Sequence, residues 1–349
     1  MIELQRPVRT LVLTGFIVCL LSTLAACSEP PPVFHASGST MGTTYSVKIA
    51  DAVDSAKGES LRDAFDALLL EVNQTLSTYI PDSELSRFNQ SQETGWQASS
   101  EGLMTVVTAA QSISTDSDGA FDVTVGPLVN LWGFGPEFKP DQRPDEAEID
   151  RARARIGYHH LHTDESQRLL KKDRSDLYVD LSAIAKGYGV DRLAAYLDSQ
   201  GFHNYLVEIG GEVFCKGYKE NGDHWQIAVE KPLVGERSIL RVVPLADQAM
   251  ATSGNYRNFF ELDGTRYAHT LNPQTGWPVQ HDLLSVTVLS SSTMQADGWA
   301  TALMVLGVEK GYDLAMRKNL AVLFVRGSES GIQQTLTPAF EDYLKGLEQ

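Results

Sequence analysis

The sequence predicts an α+β fold in which largely antiparallel sheets carry packed helices in a single compact unit. Residues 61–76 place apolar side chains at helical spacing, which predicts an amphipathic helix. Residues 205–289 instead contain short apolar stretches separated by turn residues, a pattern typical of strands joined in hairpins. This mixture favours α+β over a doubly wound parallel sheet, in which helices and strands alternate.

The predicted elements follow one another without an internal repeat or an obvious linker. A strand at residues 46–50 precedes the helix at 61–76, and a second helix is predicted at 103–114. Residues 139–155 are charged and are expected at the surface, with a short basic helix at 151–155. Beyond them, helices are predicted at residues 184–197 and 294–306, and strands at residues 177–179, 205–209, 212–216, 225–229, 240–243, 266–271, 283–289 and 320–325.

The composition excludes several classes of protein. The chain has 349 residues, and its 29 Lys and Arg against 45 Asp and Glu give a formal net charge of −16 at pH 7. Such an acidic chain repels phosphate backbones, which disfavours nucleic acid as a partner. A phosphate-bearing ligand would need local compensation from a metal ion, a helix N-terminus or a well-placed lysine. The 3 cysteines are too few for a disulfide scaffold.

The first residues have the pattern of a secretory signal. Arg6 and Arg9 precede an apolar run at residues 11–21, which is shorter than the roughly 20 residues that a membrane-spanning helix needs. The tetrapeptide Leu-Ala-Ala-Cys at residues 24–27 resembles the lipobox of bacterial lipoproteins. This resemblance implies cleavage before Cys27 and lipidation of its thiol, whereas the alternative is a plain secreted protein with a chance cysteine.

Three segments of the chain are therefore expected. Residues 1–26 would form a cleaved lipoprotein signal peptide, and residues 27–36 the lipidated cysteine with an extended, Pro-rich tether. Residues 37–345 would form one folded unit. The mature protein is expected on the inner or outer membrane, held by its lipid anchor and facing the periplasm.

Common nucleotide-binding and hydrolase motifs are absent from the sequence. It contains no GxxxxGK[ST], GxGxxG, HExxH or GxSxG, which argues against P-loop, Rossmann, zincin and α/β-hydrolase chemistry. His159, His160 and His162 form a small cluster of potential metal ligands. No cysteine or ordered carboxylate spacing accompanies them, so a surface strand or loop is the favoured interpretation.

The first candidate site segment lies at residues 179–189, where a predicted strand ends at Asp180 and a helix begins near Ser182 or Ala183. The unpaired N–H groups at a helix N-terminus attract phosphate, and Lys186 adds a positive charge one turn into the helix. An ordinary helix capped by Ser182, with a solvated lysine, explains the same residues equally well.

The second candidate segment lies at residues 294–303. Asp297 and Thr301 are four positions apart and therefore share one face of the predicted helix. A carboxylate and a hydroxyl are hard oxygen donors, which Mg²⁺ accepts together with water and phosphate oxygens. Taken alone, the segment is better explained by Asp297 favouring the helix dipole and Thr301 bonding its own helix.

The third candidate segment, residues 267–276, runs from a strand into an Asn-Pro-x-x-Gly turn. His269 is expected at the strand end, where an imidazole can act as a base near neutral pH. A hydrogen-bonded structural histidine is an equally good interpretation.

Together with further blocks, these three segments resemble the ApbE family, the FAD:protein FMN transferases of bacteria. The further blocks are GSTMGTTY at residues 38–45, LSTYIPDSELSRFN at 76–89, GAFDVTVGPL at 119–128 and ATSGNY at 251–256. All of them occur in the family order and cover nearly all of the mature chain, which makes the resemblance specific. It implies a T-fold-like architecture for the catalytic unit.

The resemblance implies roles for individual residues. His269 matches the histidine proposed to assist transfer. The Mg²⁺ ligands match the backbone carbonyl of Ala183 and the side chains of Asp297 and Thr301. Ala300 stands where some members have a carboxylate, so the expectation concerns the type of metal and not the number of ions. The FAD-binding positions match Met41, Tyr79, Ala120, Phe121, Asp122, Asp180, Lys186, Thr270 and Leu271.

The implied activity is Mg²⁺-dependent transfer of the FMN moiety of FAD to a Thr or Ser hydroxyl of an acceptor protein, with release of AMP. The implied acceptors are flavoprotein subunits of membrane redox complexes, such as the sodium-pumping NADH:quinone reductase and the Rnf complex. Two alternatives would use the same site. One is an FAD pyrophosphatase that gives FMN and AMP, and the other is a non-catalytic flavin-binding lipoprotein.

Overall fold

The fold combines antiparallel β-strands with α-helices. The computed structural model describes residues 33–136, 143–232, 238–256, 259–262, 264–328 and 331–347. The strands are β1 (Phe34–Thr40), β2 (Thr43–Ile49), β3 (Gln97–Ala98), β4 (Leu161–Asp164), β5 (Leu169–Lys172), β6 (Tyr205–Ile209), β7 (Glu212–Lys216), β8 (Trp225–Glu230), β9 (Ile239–Leu245), β10 (Gln248–Gly254), β11 (Phe259–Leu262), β12 (Thr265–Ala268), β13 (Leu283–Ser290), β14 (Ala321–Ser328) and β15 (Gly331–Leu336). Eight of them form a central sheet in the order β1-β2-β6-β7-β10-β13-β14-β15, with every neighbouring pair antiparallel.

Helices lie along this sheet and beyond its edges. They are α1 (Ser55–Leu76), α2 (Glu84–Gln90), α3 (Glu101–Asp116), α4 (Gly126–Leu131), α5 (Glu146–Arg153), α6 (Ala185–Ser199), α7 (Thr293–Arg317) and α8 (Pro338–Gly346). The hydroxyl or carboxylate of the residue before the helix caps several of them, as Asp54 does for α1 and Ser100 for α3. No helix in the described part of the chain has the length and apolarity needed to span a bilayer.

Both faces of the central sheet are buried, because successive residues of a strand point to opposite faces. On one face, Ala251 and Val286 belong to a cluster that includes apolar residues of α3 and α7. On the other face, Met250 and Leu289 pack with the β8–β9 hairpin and with Phe340 of α8. A third cluster joins β1, β2 and β6 to α1 and α6. The layers therefore fix α6 and α7 on the same side of the sheet.

The middle of the sheet leaves one strand edge uncovered. Within β10, residues 248–250 pair with β7, whereas residues 249–254 pair with β13 on the other side. The second half of β10 therefore faces the starts of α6 and α7 across an open space. This space is where the candidate site lies.

The prediction of an α+β fold with largely antiparallel sheets is confirmed. The strands predicted at residues 205–209 and 212–216 have the predicted bounds, and the helix predicted at 61–76 extends back to Ser55. The basic helix predicted at 151–155 is the end of α5, which begins earlier with a capping box between Asp145 and Glu148.

One predicted strand is wrong, whereas two predicted helices are present and differ from the prediction at one end. Residues 177–179 form no strand, and the Asn89 side chain satisfies the backbone of Val179 instead of a neighbouring strand. The helix predicted to start near Ser182 or Ala183 starts at Ala185, after a turn. In addition, the helix predicted at 294–306 continues to Arg317 across Gly307, whose φ of 75° interrupts the regular helical backbone.

Several predictions fall at or beyond the limits of the described residues. Residues 1–32 lie outside them, so the signal peptide and the lipidation of Cys27 stay predictions. β1 begins at Phe34, within the predicted tether, because Ala36 is buried in the cluster that joins β1 to α1. In the histidine cluster, His162 Nε2 lies 2.7 Å from the Asp173 carboxylate on an exposed surface, as the surface interpretation expects.

Candidate active site

A cavity of about 650 Å³ opens between β10, the starts of α6 and α7, and the loop after α3. Its volume is in the range of small-molecule and cofactor sites, roughly 300 to 1,000 Å³. The fold brings most of the predicted site residues to this one place. Those lining the cavity are Tyr79, Ala120, Phe121, Asp122, Asp180, Ala183, Lys186, His269, Thr270, Leu271, Asp297 and Thr301.

Met41 is not among the residues that line the cavity. It occupies the β1–β2 turn with a φ of 49°, and its side chain packs against the hydrophobic clusters beneath the sheet. Its terminal methyl carbon lies 3.0 Å from the position that a Cβ on Gly189 of α6 would take. Met41 thus supports the helix that carries Lys186, and its predicted contact with FAD stays a prediction.

Asp180 is positioned by a side chain that takes the place of a neighbouring strand. Asn89 Oδ1 accepts the N–H of Val179 at 2.8 Å, and Asn89 Nδ2 donates to the Val179 carbonyl at 2.8 Å. The N–H of Asp180 then donates to the Val123 carbonyl at 2.7 Å. Because these backbone groups are satisfied, the extended segment holds its place without a strand ladder.

A turn separates Asp180 from the start of α6. Asp180 Oδ1 accepts from the N–H of Ser182 at 2.9 Å and from its hydroxyl at 2.6 Å. The carboxylate thereby removes Ser182 from the N-cap role, which Ile184 takes without a side-chain cap hydrogen bond. In the first turn of α6, the N–H of Ala185 donates to the nearby Leu181 carbonyl at 2.9 Å, whereas the N–H of Gly187 donates to the distant Asp297 carboxylate.

Lys186, in the first turn of α6, lies between two buried carboxylates. Its Nζ atom is 2.6 Å from Glu212 Oε1 and 3.6 Å from Asp297 Oδ1. Asp297 Oδ2 accepts the N–H of Gly187 at 3.0 Å, and Glu212 Oε2 accepts the N–H of Thr252 at 3.2 Å. Each carboxylate is therefore anchored by a backbone group, and the two share one ammonium.

This cluster leaves one negative charge without compensation in a buried place. The side chains of Asp297 and Glu212 are 7% and 5% exposed. Burial raises the pKa of Asp297 to about 7, and Glu212 adds to the rise while Lys186 opposes it. Burial disfavours the Lys186 ammonium, but Asp297 and Glu212 outweigh this effect and raise its pKa, so the lysine stays charged.

The donor groups beside this charge fit Mg²⁺. Asp297 and Thr301 line the cavity from one face of α7, and Ala183 lines it from the turn before α6. In the described part of the chain, no group of three or more His, Cys, Asp or Glu could hold a metal ion. A cation here would have few protein ligands and would take water and phosphate oxygens as the others, which is the usual coordination of Mg²⁺.

Asp122 lines the cavity, but its carboxylate is used within the loop. Its Oδ1 atom accepts from the N–H of Thr124 at 2.8 Å and from its hydroxyl at 2.6 Å, and Oδ2 accepts the N–H of Tyr158 at 3.0 Å. Burial raises the pKa of Asp122, although these three hydrogen bonds oppose the rise. The loop with Ala120 and Phe121 therefore has a fixed shape at the cavity wall.

His269 follows directly after β12, which ends at Ala268 and not at residue 271 as predicted. The strand pairing stops there because the chain turns toward the Asn-Pro turn, and Val279 donates its N–H to the Thr270 carbonyl at 3.0 Å. The imidazole of His269 lies edge-on to the ring of Phe134, with ring centroids 6.4 Å apart. An aromatic side chain therefore supports the candidate base on the cavity wall.

Tyr79 stands at the cavity mouth and is the most exposed of the predicted FAD contacts, at 62%. Its hydroxyl donates to the Phe134 carbonyl at 3.4 Å. Although much of the ring is exposed, partial desolvation of the hydroxyl, followed by the nearby Asp180, raises the pKa of this phenol. A neutral tyrosine ring is thus presented beside the loop that also supports His269.

Sequence reasoning missed Glu212, Glu208 and Thr252, which line the same cavity. A signal for Glu212 was available. The glycine pair at residues 210–211 separates two short apolar strands, which is a hairpin pattern, and Glu212 opens the second strand. A carboxylate at the start of a buried strand needs a partner, and Lys186 is that partner.

The chain matches the model of the ApbE family over residues 41–324. A protein of Vibrio cholerae serotype O1 named FAD:protein FMN transferase is 47% identical over 332 residues, which cover 95% of this chain and 99% of that protein. A protein of the same name from Escherichia coli K12 is 39% identical over 331 residues, 94% of each chain.

Solved structures agree with these sequence matches. The flavin transferase ApbE from Vibrio cholerae superposes with a TM-score of 0.83 at 46% identity, covering 90% of this chain and 99% of that one. The apo form of the flavinyl transferase ApbE from Pseudomonas stutzeri gives a TM-score of 0.82 at 42% identity, covering 90% and 97%. The family model and the curated relatives span almost the whole folded part, and the chain therefore belongs to the ApbE family.

Proposed function

We propose that the protein transfers the FMN moiety of FAD to a threonine or serine hydroxyl of an acceptor protein and releases AMP. The observation that carries this proposal is the convergence of Lys186, Asp297, Thr301 and His269 on one cavity. The relatives from Vibrio cholerae and Escherichia coli, both named FAD:protein FMN transferase, support the same reaction.

The reaction is a phosphoryl-type transfer. The acceptor hydroxyl oxygen attacks the phosphorus on the FMN side of the FAD pyrophosphate, and a new P–O bond to the acceptor forms. The P–O bond to the AMP phosphate breaks, and AMP leaves with the bonding electron pair. His269 takes the proton of the attacking hydroxyl. The Lys186 ammonium provides positive potential for the pyrophosphate in an otherwise acidic chain.

Magnesium is the proposed metal because hard oxygen donors surround the uncompensated negative charge. Asp297, Thr301 and the carbonyl of Ala183 would hold it. When bound, Mg²⁺ neutralises charge on the pyrophosphate and on the departing AMP. Glu212 holds the Lys186 ammonium at 2.6 Å, which keeps this second positive group at the cavity wall.

Incubation of the protein with FAD, Mg²⁺ and an acceptor domain tests the proposal. We expect the intact mass of the acceptor to rise by FMN less one water, with an equal amount of AMP formed. Free FMN and AMP with an unchanged acceptor would instead establish a pyrophosphatase. In a non-catalytic flavin-binding protein no FAD would be consumed, and Asp297→Ala would leave its function intact.

We further infer that the protein is a lipoprotein anchored through Cys27 and facing the periplasm. The apolar run and the lipobox-like residues 24–27 support this location. The proposed partners are flavoprotein subunits of the sodium-pumping NADH:quinone reductase or of Rnf-type complexes, which would meet the enzyme on that side. Cys27→Ser should abolish the incorporation of labelled palmitate into the protein, and labelling of this variant equal to that of the wild-type protein would contradict the anchor.

A further inference from the structure

Outside the cavity, one carboxylate joins the two helices that carry the site. Asp191 on α6 reaches the N-terminus of α7, where its Oδ1 accepts the N–H of Thr293 at 2.8 Å. Its Oδ2 accepts the N–H of Met294 at 3.0 Å and the hydroxyl of Ser292 at 2.7 Å. Asp191 therefore satisfies first-turn N–H groups of α7 that the helix cannot satisfy itself.

The same two helices touch at a glycine one turn earlier on α6. A Cβ added to Gly187 would lie 2.4 Å from the Thr293 carbonyl oxygen and 2.7 Å from the Met294 Cα atom. Only glycine permits this approach, because these are backbone atoms of the neighbouring helix. The approach also allows the N–H of Gly187 to reach Asp297 Oδ2 at 3.0 Å.

These contacts set the place of the metal-binding face of α7. Asp297 lies one turn after Thr293 on α7, and Thr301 lies one further turn along the same face. A shift of the first turn of α7 along α6 would displace Asp297 relative to Lys186 and to the turn with Ala183, because Asp297 lies only one turn further along the helix. The remainder of α7 packs on β10 and β13, so the loss of this junction should shift the helix start without unfolding the helix.

We propose that Asp191 is a positioning residue of the site, which, together with Gly187, fixes the register of α7 on α6 and thereby the geometry of the Mg²⁺ ligands. This inference rests on the proposed function only in taking Asp297 and Thr301 as metal ligands. Asp191 itself does not line the cavity. Its effect is comparable to that of the outer groups that orient the ligands of other metal sites.

Calorimetric titration of the FAD-free protein with Mg²⁺ tests the proposal without using transfer activity. Asp191→Asn should raise the dissociation constant for Mg²⁺ by roughly 10- to 100-fold. Ser292→Ala, which alters no charge, should raise it in the same direction. Asp198→Asn is the matched control, because Asp198 is also on α6 and accepts from Tyr205 at 2.7 Å and from Lys216 at 2.8 Å, away from α7.

Thermal unfolding of each variant separates positioning from stability. Asp191→Asn and Asp198→Asn should both lower the melting temperature, but only Asp191→Asn should weaken Mg²⁺ binding. Gly187→Ala should also weaken Mg²⁺ binding. The variant with both Gly187→Ala and Asp191→Asn should bind Mg²⁺ as tightly as the weaker-binding of the two single variants, because both changes disturb one junction.

Equal Mg²⁺ affinity in Asp191→Asn and the wild-type protein would overturn the proposal, as would a wild-type protein that binds no Mg²⁺. Failure of the proposed function gives a different result. In that case the wild-type protein and the variants would show the expected order of Mg²⁺ affinities, and no acceptor would gain FMN.

Discussion

Replacing Asn89 by alanine tests how the structure positions Asp180. The change removes two hydrogen bonds of 2.8 Å to the backbone of Val179, a residue with no exposed surface. A hydrogen bond contributes about 1 kcal/mol net, and a buried polar group left without a partner costs about 1 to 3 kcal/mol. We therefore expect Asn89→Ala to lower the free energy of unfolding by about 2 to 4 kcal/mol, measured by urea denaturation.

The same variant should bind FAD more weakly than the wild-type protein, because Asp180 directly follows the released segment. Flavin fluorescence titration measures this effect. Gln90→Ala is the matched control, since Gln90 is an exposed neighbour whose side chain donates to the Pro81 carbonyl at 3.0 Å. Its stability should change by less than about 0.5 kcal/mol. Equal stabilities of the two variants, or unchanged FAD binding in Asn89→Ala, would refute the reasoning.

Three further outcomes are expected. His269→Asn should lower the turnover number by roughly 10²- to 10⁴-fold while FAD still binds, and unchanged turnover would exclude His269 as the base. Mg²⁺ affinity should rise as the pH increases from about 6 to about 8 and then level off. Burial raises the pKa of Asp297 to about 7, and the metal must displace the proton of this carboxyl group to bind. A Mg²⁺ affinity that calorimetry finds constant over this pH range would contradict the prediction. Burial lowers the pKa of the fully buried Lys172, so the unfolded chain binds this proton more readily. The free energy of unfolding of the wild-type protein, relative to that of Lys172→Met, should therefore rise as the pH approaches the ordinary lysine value of 10.5. A difference in unfolding free energy that stays constant with pH in urea denaturation would count against this.

Hydrophobic periodicity predicted the elements whose partners lie close by in the chain. The strands at residues 205–209 and 212–216 form a hairpin, and both their alternation and their glycine turn are visible in the sequence. The strand predicted at residues 177–179 is wrong, because the backbone of Val179 pairs with the Asn89 side chain, 90 residues away in the sequence, and not with a strand. Periodicity describes a face to be buried and contains no information about which group satisfies the backbone.

The candidate site divides in a similar way. Asp297 and Thr301 could be placed together because helical spacing puts them on one face, and both line the cavity. The sequence indicates that Glu212 opens a strand but not that it pairs with Lys186, because that pairing depends on how α6 packs against β7. The role of Asp191 could not be predicted from the sequence either, because it depends on how closely α6 approaches α7.

The central claim is that this cavity attaches FMN to a protein hydroxyl. It is tested most directly by intact-mass and peptide analysis of an acceptor domain after incubation with FAD, with and without Mg²⁺. The account predicts that one threonine or serine gains FMN less one water only when Mg²⁺ is present, and that Asp297→Ala abolishes the gain. Formation of FMN and AMP by the wild-type protein, with the acceptor mass unchanged, would contradict it.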